Sequence, residues 1–143
     1  MIRAVVDTNV LVSGLISPSS YPRQVFQHWR AGDFVLVTSH AIIQEATRAL
    51  YSPRIQVKYG LTDSDIQAFV LALRYQSDCV AGELTVNGVA PDPGDDKVIS
   101  CAVEGKAELI VTGDKALQRL GRHKDIRIIS AETFTGILAE GRP

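Results

Sequence analysis

Five short runs rich in apolar and β-branched residues recur along the chain, and longer segments with helical periodicity separate them. Four of the runs show almost no polar alternation, which is typical of strands covered by helices on both faces. Ser77–Ala81 has the weakest pattern. The five predicted strands are Ala4–Val6, Phe34–Thr38, Ser77–Ala81, Leu109–Thr112 and Arg127–Ile129. Strands that alternate with helices predict an α/β fold with a parallel sheet.

The intervening segments predict helices, and several of them begin at residues that cap helices well. Ser39 is a suitable N-cap. Thr62 and Asp65 together resemble a capping box, and Asp95 can cap the helix that follows it. The predicted helices are Pro22–Arg30, Ser39–Leu50, Thr62–Tyr75, Asp96–Glu104, Lys115–Leu120 and Ala131–Leu138. Thr85–Asp95 is rich in Gly, Pro and Asn and is predicted to be a loop.

Composition indicates one globular domain over residues 1–143. Hydrophobic residues make up 45% and charged residues 22% of the chain, enough apolar surface for one core but too short a chain for two. The N-terminus has no apolar segment typical of a signal peptide, and no stretch approaches the length of a membrane span. We therefore expect a cytoplasmic protein.

Charge and cysteine content narrow the function classes. The 15 basic and 16 acidic residues nearly cancel, so any contact with phosphate must be local or mediated by a metal ion. Cys79 and Cys101 lack the spacing of metal ligands, and two thiols do not make a disulfide framework. We expect a buried, reduced pair.

Two acidic residues lie at or just after the ends of predicted strands. Asp7 follows Val5-Val6, and Asp114 follows Thr112-Gly113. Open α/β sheets bind their ligands at this carboxyl edge, so both acids are candidate site residues. The alternative for each is a helix N-cap, since Asp is a good capping residue.

Glu45 lies on or beside the apolar stripe of its predicted helix. A carboxylate on that face needs a cation, because burial of the unpaired charge would cost several kcal/mol, roughly. That cation is either a bound metal or Arg48, three residues further along the helix.

Asp92, Asp95 and Asp96 crowd the start of one predicted helix. Capping and the helix dipole account for two of them. A third acid points to a hard divalent cation, Mg²⁺ or Mn²⁺, which would hold the like charges together. Such ions support phosphodiester hydrolysis, and no motif for a covalent nucleophile is present.

The order of these motifs resembles that of PIN-domain proteins, specifically the VapC-type ribonucleases that act as toxins of toxin–antitoxin systems. The family's opening pattern appears as Val5-Val6-Asp7-Thr8-Asn9-Val10, followed by Leu11–Gly14, and its helical glutamate matches Glu45. Its acidic helix entry matches Asp92–Ile99, and its Thr-Gly-Asp-Lys appears at Thr112–Lys115. The resemblance spans nearly the whole chain.

By this resemblance, four acids form the catalytic metal cluster, with two polar helpers that orient ligands or water. Gly94 stands where relatives often have an acidic or polar residue, so Asp96 is the expected ligand of its run and Asp95 the secondary one. The expected ligands are Asp7, Glu45, Asp96 and Asp114, with Asp95 as a further metal ligand, and the helpers are Asn9 and Thr112.

The resemblance also implies a three-layer α/β/α sandwich with about five strands, dependence on Mg²⁺ or Mn²⁺, an RNA substrate, a cognate antitoxin protein and a homodimer. Basic and aromatic residues could contact the RNA, because phosphate binding and base stacking need those types. The alternative for them is a solvated surface. They are Arg48, Tyr51, Arg54, Lys58 and Tyr59, and a second stretch of Lys115, Arg119, Arg122, His123 and Lys124.

Three other functions compete with the toxin. A housekeeping RNA-processing nuclease would have the same centre. A PIN-like module that binds RNA or protein without cleaving would not need the four acids, whose repulsion is costly. A response-regulator-like domain would need paired acids after the first strand, where the sequence has only Asp7.

Overall fold

The computed structural model describes residues 1–141 and contains a six-stranded, mostly parallel sheet flanked by helices. The strands are β1 (Arg3–Val6), β2 (Val35–Ser39), β3 (Asp78–Val80), β4 (Leu109–Val111), β5 (Arg122–His123) and β6 (Ile126–Ile129). The helices are α1 (Thr8–Ile16), α2 (Tyr21–Arg30), α3 (His40–Tyr51), α4 (Pro53–Tyr59), α5 (Asp63–Tyr75), α6 (Asp96–Glu104), α7 (Lys115–Leu120) and α8 (Ala131–Glu140), with a 3₁₀ turn at Pro93–Asp95.

The strand order is β3-β2-β1-β4-β6-β5, and only the β5–β6 pair is antiparallel. In the centre, Val5 pairs with Val37 on one side and Ile110 on the other, and all three are fully buried. From β1 the chain first proceeds outward to β2 and β3, and then returns to the opposite side of β1 with β4. The sheet therefore has its topological switch point between β1 and β4, where open α/β sheets form their ligand crevice.

All five predicted strands and all six predicted helices are confirmed, with differences of one or two residues at their ends. Sequence analysis missed α1, α4 and β5. Helix α1 buries Thr8, Val10, Leu11, Val12 and Gly14, so apolar residues surround much of its circumference and no single stripe marks it. The flavodoxin-like order 2-1-3-4-5 typical of response regulators is absent from the described strands, which contradicts that alternative.

The expected burial of both cysteines is wrong for Cys79. Both thiols are free, but Cys79 lies exposed on β3, an edge strand of only three residues. Cys101 is buried on α6, and burial raises the pKa of its thiol to about 12. Among residues 1–141, no helix combines the length and apolar character needed to cross a membrane.

The end of α6 packs against the sheet through Gly105. A Cβ atom at this glycine would lie 2.4 Å from Cγ1 of Val37 and 3.1 Å from Cγ1 of Val80. We expect Gly105→Ala to lower the free energy of unfolding by about 1–3 kcal/mol, since a well-packed core does not absorb a methyl group without strain. Urea denaturation measures the change.

Gly136→Ala is the matched control for this substitution. Gly136 lies within α8, and its Cβ position has no neighbour within 4 Å. The control should raise stability by up to about 1 kcal/mol, because alanine favours the helix. An equal response of the two variants would contradict close packing at Gly105.

Candidate active site

Asp7 lies at the carboxyl end of β1 and is only 3% exposed. Its Oδ1 accepts a hydrogen bond from the Thr8 amide (2.7 Å), and its Oδ2 accepts one from the Thr112 hydroxyl (2.8 Å). Burial raises the pKa of Asp7, even though these two hydrogen bonds favour the charged form. The carboxylate is therefore fixed in place and short of positive charge.

The two predicted helper residues join the ends of β1 and β4. The Thr112 hydroxyl donates to Asp7 and accepts the Asp114 amide N–H (3.1 Å). The Asn9 side-chain oxygen accepts the amide N–H of Gly113 (2.9 Å). A side chain at Gly113 would press on that oxygen, since its Cβ would lie 3.3 Å away. These contacts hold Asp7 and Asp114 at the switch point.

Asp114 is both a helix N-cap and a member of the acidic cluster, the two roles considered for it. Its Oδ1 accepts hydrogen bonds from the amides of Ala116 (2.8 Å) and Leu117 (3.4 Å), so it caps α7. The carboxyl group also interacts with Asp95 and raises the pKa of that residue. Capping therefore leaves Asp114 within the cluster of acids.

Asp95, the secondary candidate of its run, is the acid that the structure brings to Asp7 and Asp114. The pKa of Asp95 is raised to about 6, first by partial burial and then by the charges of Asp7 and Asp114, with a hydrogen bond to Asp114. The 3₁₀ turn carries Asp95 into this position at the entry to α6. Asp92 instead accepts the amide N–H of Gly94 (2.9 Å) and caps the turn.

Asp96, the primary candidate, is placed differently. Its Oδ1 is buried and has no hydrogen-bond partner within residues 1–141. It lines a groove beside the cluster together with Lys97. A buried carboxylate oxygen without a donor is costly, and a bound cation would satisfy it. Its role as a ligand stays a prediction.

Glu45 forms its ion pair with Lys97, and not with Arg48 as the alternative supposed. Lys97 Nζ lies 2.6 Å from Glu45 Oε2 and also donates to the carbonyl of Gly94. Partial burial is the largest single influence and raises the pKa of Glu45, but the interactions with Lys97, Thr8 and Arg48 together outweigh it and hold the pKa below its ordinary value. Sequence analysis did not select Lys97, and its position directly after the acidic run was the signal available.

Of the predicted RNA-contacting residues, Arg48 interacts electrostatically with Glu45. Arg48 is on α3, Arg54 and Lys58 are exposed on α4, and Lys115 is exposed at the start of α7 directly after Asp114. The Lys58 ammonium lies over the ring of Tyr59, 5.4 Å from its centroid. The second basic stretch runs from α7 through the β5–β6 turn.

The chemistry of the site fits a hard divalent cation. Asp7 interacts electrostatically with Glu45 and Asp95, and Asp95 with Asp114, whereas Lys97 supplies the one ammonium in these interactions. Within residues 1–141, no three His, Cys, Asp or Glu side chains already stand in ligand geometry. Mg²⁺ or Mn²⁺ prefers oxygen ligands and would offset the excess negative charge. Either ion would also pair with the unpartnered oxygen of Asp96.

Lys97→Met tests whether this ammonium offsets the acids. We expect the variant to lose about 1 kcal/mol of stability in chelator, because Glu45 and Lys97 are both partly exposed and solvent screens their attraction. For a chain of this length that corresponds to a melting temperature about 2–4 °C lower. Added Mn²⁺ should stabilise the variant more than the native protein, which differential scanning fluorimetry measures.

Lys115→Met is the matched control, since Lys115 is exposed. It should melt like the native protein in chelator. Identical melting of the Lys97 and Lys115 variants would contradict the proposed role of Lys97.

Comparison with known proteins identifies the family. The family model described as PIN domain matches residues 3–116, which include β1, the acidic run and Asp114. The chain is also 34% identical over 116 residues to the uncharacterized protein MJ1680 of Methanocaldococcus jannaschii, covering 81% of this chain and 73% of that protein. PIN domains have a nuclease-type fold and generally use divalent metal ions. The chain belongs to the PIN domain family.

Proposed function

We propose that this protein is a metal-dependent endoribonuclease that cleaves single-stranded RNA. The observation that carries the proposal is the buried carboxylate of Asp7 at the switch point, whose charge interacts with those of Asp95 and Glu45. A protein without a use for a cation would gain stability by losing these like charges. Their presence together supports a centre built to bind a metal ion.

Each residue of the centre has a separate task in this proposal. Mg²⁺ or Mn²⁺, when bound, would lower the pKa of water and stabilise charge on the phosphate. Asp7, Asp95 and Asp114 would hold the ion, with Glu45 and Asp96 contributing from the α3 and α6 sides. Thr112 and Asn9 fix the orientation of Asp7 and the 112–114 turn. Lys97 adds a positive charge beside the position for the substrate.

The substrate proposal rests on the family and on the surface basic residues. Arg54, Lys58 and Lys115 are exposed and could pair with phosphates, as could Arg48. The near-zero net charge argues against tight, non-specific binding to duplexes. An accessible single strand, held by few phosphate contacts and by the metal ion, fits this balance.

The resemblance to VapC-type proteins extends the proposal to a biological role. We propose that the chain is a toxin, forms a homodimer and is neutralised by a cognate antitoxin protein. Expression of the chain alone should arrest bacterial growth, and co-expression of the product of the neighbouring gene should relieve the arrest. Unimpaired growth with active enzyme would favour a housekeeping nuclease instead.

The deciding experiment is cleavage of a labelled single-stranded RNA by the purified protein. We expect cleavage with Mn²⁺ or Mg²⁺ and none with chelator. Both ions should also raise the melting temperature, as ligands that bind only the folded state do. Metal binding with RNA binding but no cleavage would favour a non-catalytic module, and cleavage that persists in chelator would contradict the proposal.

A further inference from the structure

A groove of about 440 Å³ opens beside the acidic cluster, and most of its lining has no role in the proposed metal centre. Its lining includes Ser39, His40, Ala81, Leu84, Thr85 and Lys97, and we refer to it as the side groove. Asp96 and Lys97 belong to both the side groove and the edge of the cluster. A substrate bound over the acids would therefore continue directly into this space.

One wall of the side groove is a loop that two side chains of α6 hold in place. The carboxylate of Glu104 accepts the amide N–H groups of Gly82 and Leu84, each at 3.1 Å. Ser100 Oγ accepts the amide N–H of Val86 (2.8 Å). Hydrogen bonds to the backbone amides near Leu84 hold the pKa of Glu104 below its ordinary value. The loop is thus anchored as a wall, with Leu84 41% exposed.

The start of α3 forms another part of the lining, and it brings the imidazole of His40 to the groove. Ser39 caps the helix by accepting the Ile42 amide N–H (3.3 Å), which fixes the position of His40. Within the described residues, the His40 ring and the Thr85 hydroxyl make no hydrogen bond. Both are available to a ligand. A flat ring, an apolar side chain and an unused hydroxyl are the groups that bind an unstacked base.

The charges in the side groove favour an uncharged ligand group. Asp96 and Glu104 are acidic, whereas Lys97, the cation of the lining, is paired with Glu45. A phosphate would be repelled here, but a base carries no charge. The volume lies within the range of small-molecule sites, about 300–1,000 Å³.

From these observations we propose that the side groove binds one nucleoside of the RNA strand, adjacent to the phosphate that lies over the acidic cluster. The inference rests on the proposed ribonuclease function and adds to it a subsite for a base. The groups that line the groove then select the base, so they determine the sequence preference of cleavage.

The test fills the side groove and measures RNA binding apart from cleavage. Ala81→Trp places an indole in the groove, and Ala139→Trp, exposed on α8, is the matched control. Both are made in an Asp7→Asn background, and binding of a fluorescent eight-nucleotide single strand is followed by anisotropy with Mn²⁺. We expect about tenfold weaker binding for Ala81→Trp alone, the size of one lost stacking contact.

Two further variants keep the test decisive if Ala81→Trp does not fold. His40→Ala and Thr85→Val remove single groups from the lining and should change which dinucleotides the otherwise native enzyme cleaves. Equal RNA affinity of the two Trp variants, or an unchanged dinucleotide preference in both lining variants, would overturn the subsite. If either of these results is found and the native protein still cleaves RNA, only the proposed subsite is wrong. If Ala81→Trp weakens RNA binding but the native protein does not cleave RNA, only the ribonuclease proposal is wrong.

Discussion

Asp7→Asn should reduce cleavage of single-stranded RNA by at least about a hundredfold without lowering the stability of the metal-free protein. Even partners in the outer shell of a metal site contribute about 10–100-fold, so loss of a ligand should exceed that range. Asparagine has the same shape and can still accept the Thr8 amide hydrogen bond. It also removes one of several like charges, so the melting temperature in chelator should stay level or rise.

Single-turnover cleavage and calorimetry in chelator measure the two effects. Asp63→Asn, an exposed acid at the start of α5, is the control and should retain full activity. Native-like cleavage by Asp7→Asn would mean a contaminating nuclease or a wrong site. A large fall in melting temperature would show that the Asp7 charge serves the fold.

Asp95→Asn should cost more activity than Asp96→Asn, about a hundredfold against about tenfold. Asp95 interacts with Asp7 and Asp114, whereas Asp96 contributes a buried oxygen from the groove side. The pair tests directly which acid of the run is the principal ligand. The opposite ranking would restore Asp96 to that role.

The same two variants should differ in how stability depends on pH. The pKa of Asp95 is raised from 3.8 to about 6, so the folded state binds more protons than the unfolded state between these values. Stability in chelator therefore falls as pH rises through this window. This fall in the free energy of unfolding should be less than about 1 kcal/mol, because solvent screens the partly exposed group. Asp95→Asn should abolish it. If the native protein and Asp95→Asn show the same dependence of stability on pH, the raised pKa of Asp95 is contradicted.

Sequence alone could predict the sheet and the placement of two acids because both depend on local pattern. Asp7 and Asp114 follow buried apolar runs, and parallel strands end at one edge of a sheet. The same argument could not decide between Asp95 and Asp96. The 3₁₀ turn at Pro93–Asp95 sets which of them faces the cluster, and the correctly predicted start of α6 at Asp96 did not reveal that turn.

Other features of the site depend on contacts between distant segments. Lys97 meets Glu45 only because α6 packs beside α3, so its helix position alone did not identify it. The side groove depends on Glu104 binding backbone amides of the 81–85 loop. Cys79 was expected to be buried, but its strand is short and lies at the edge of the sheet.

The hydrogen bond between Asp7 and Thr112 joins residues 105 positions apart. During translation, β1 leaves the ribosome long before β4 is made, and no earlier segment can supply the Thr112 hydroxyl or Asp114. If the chain is the proposed ribonuclease, it would therefore be harmless to its own messenger RNA until most of it has been synthesised. A prematurely terminated product lacking β4 would be inert for the same reason.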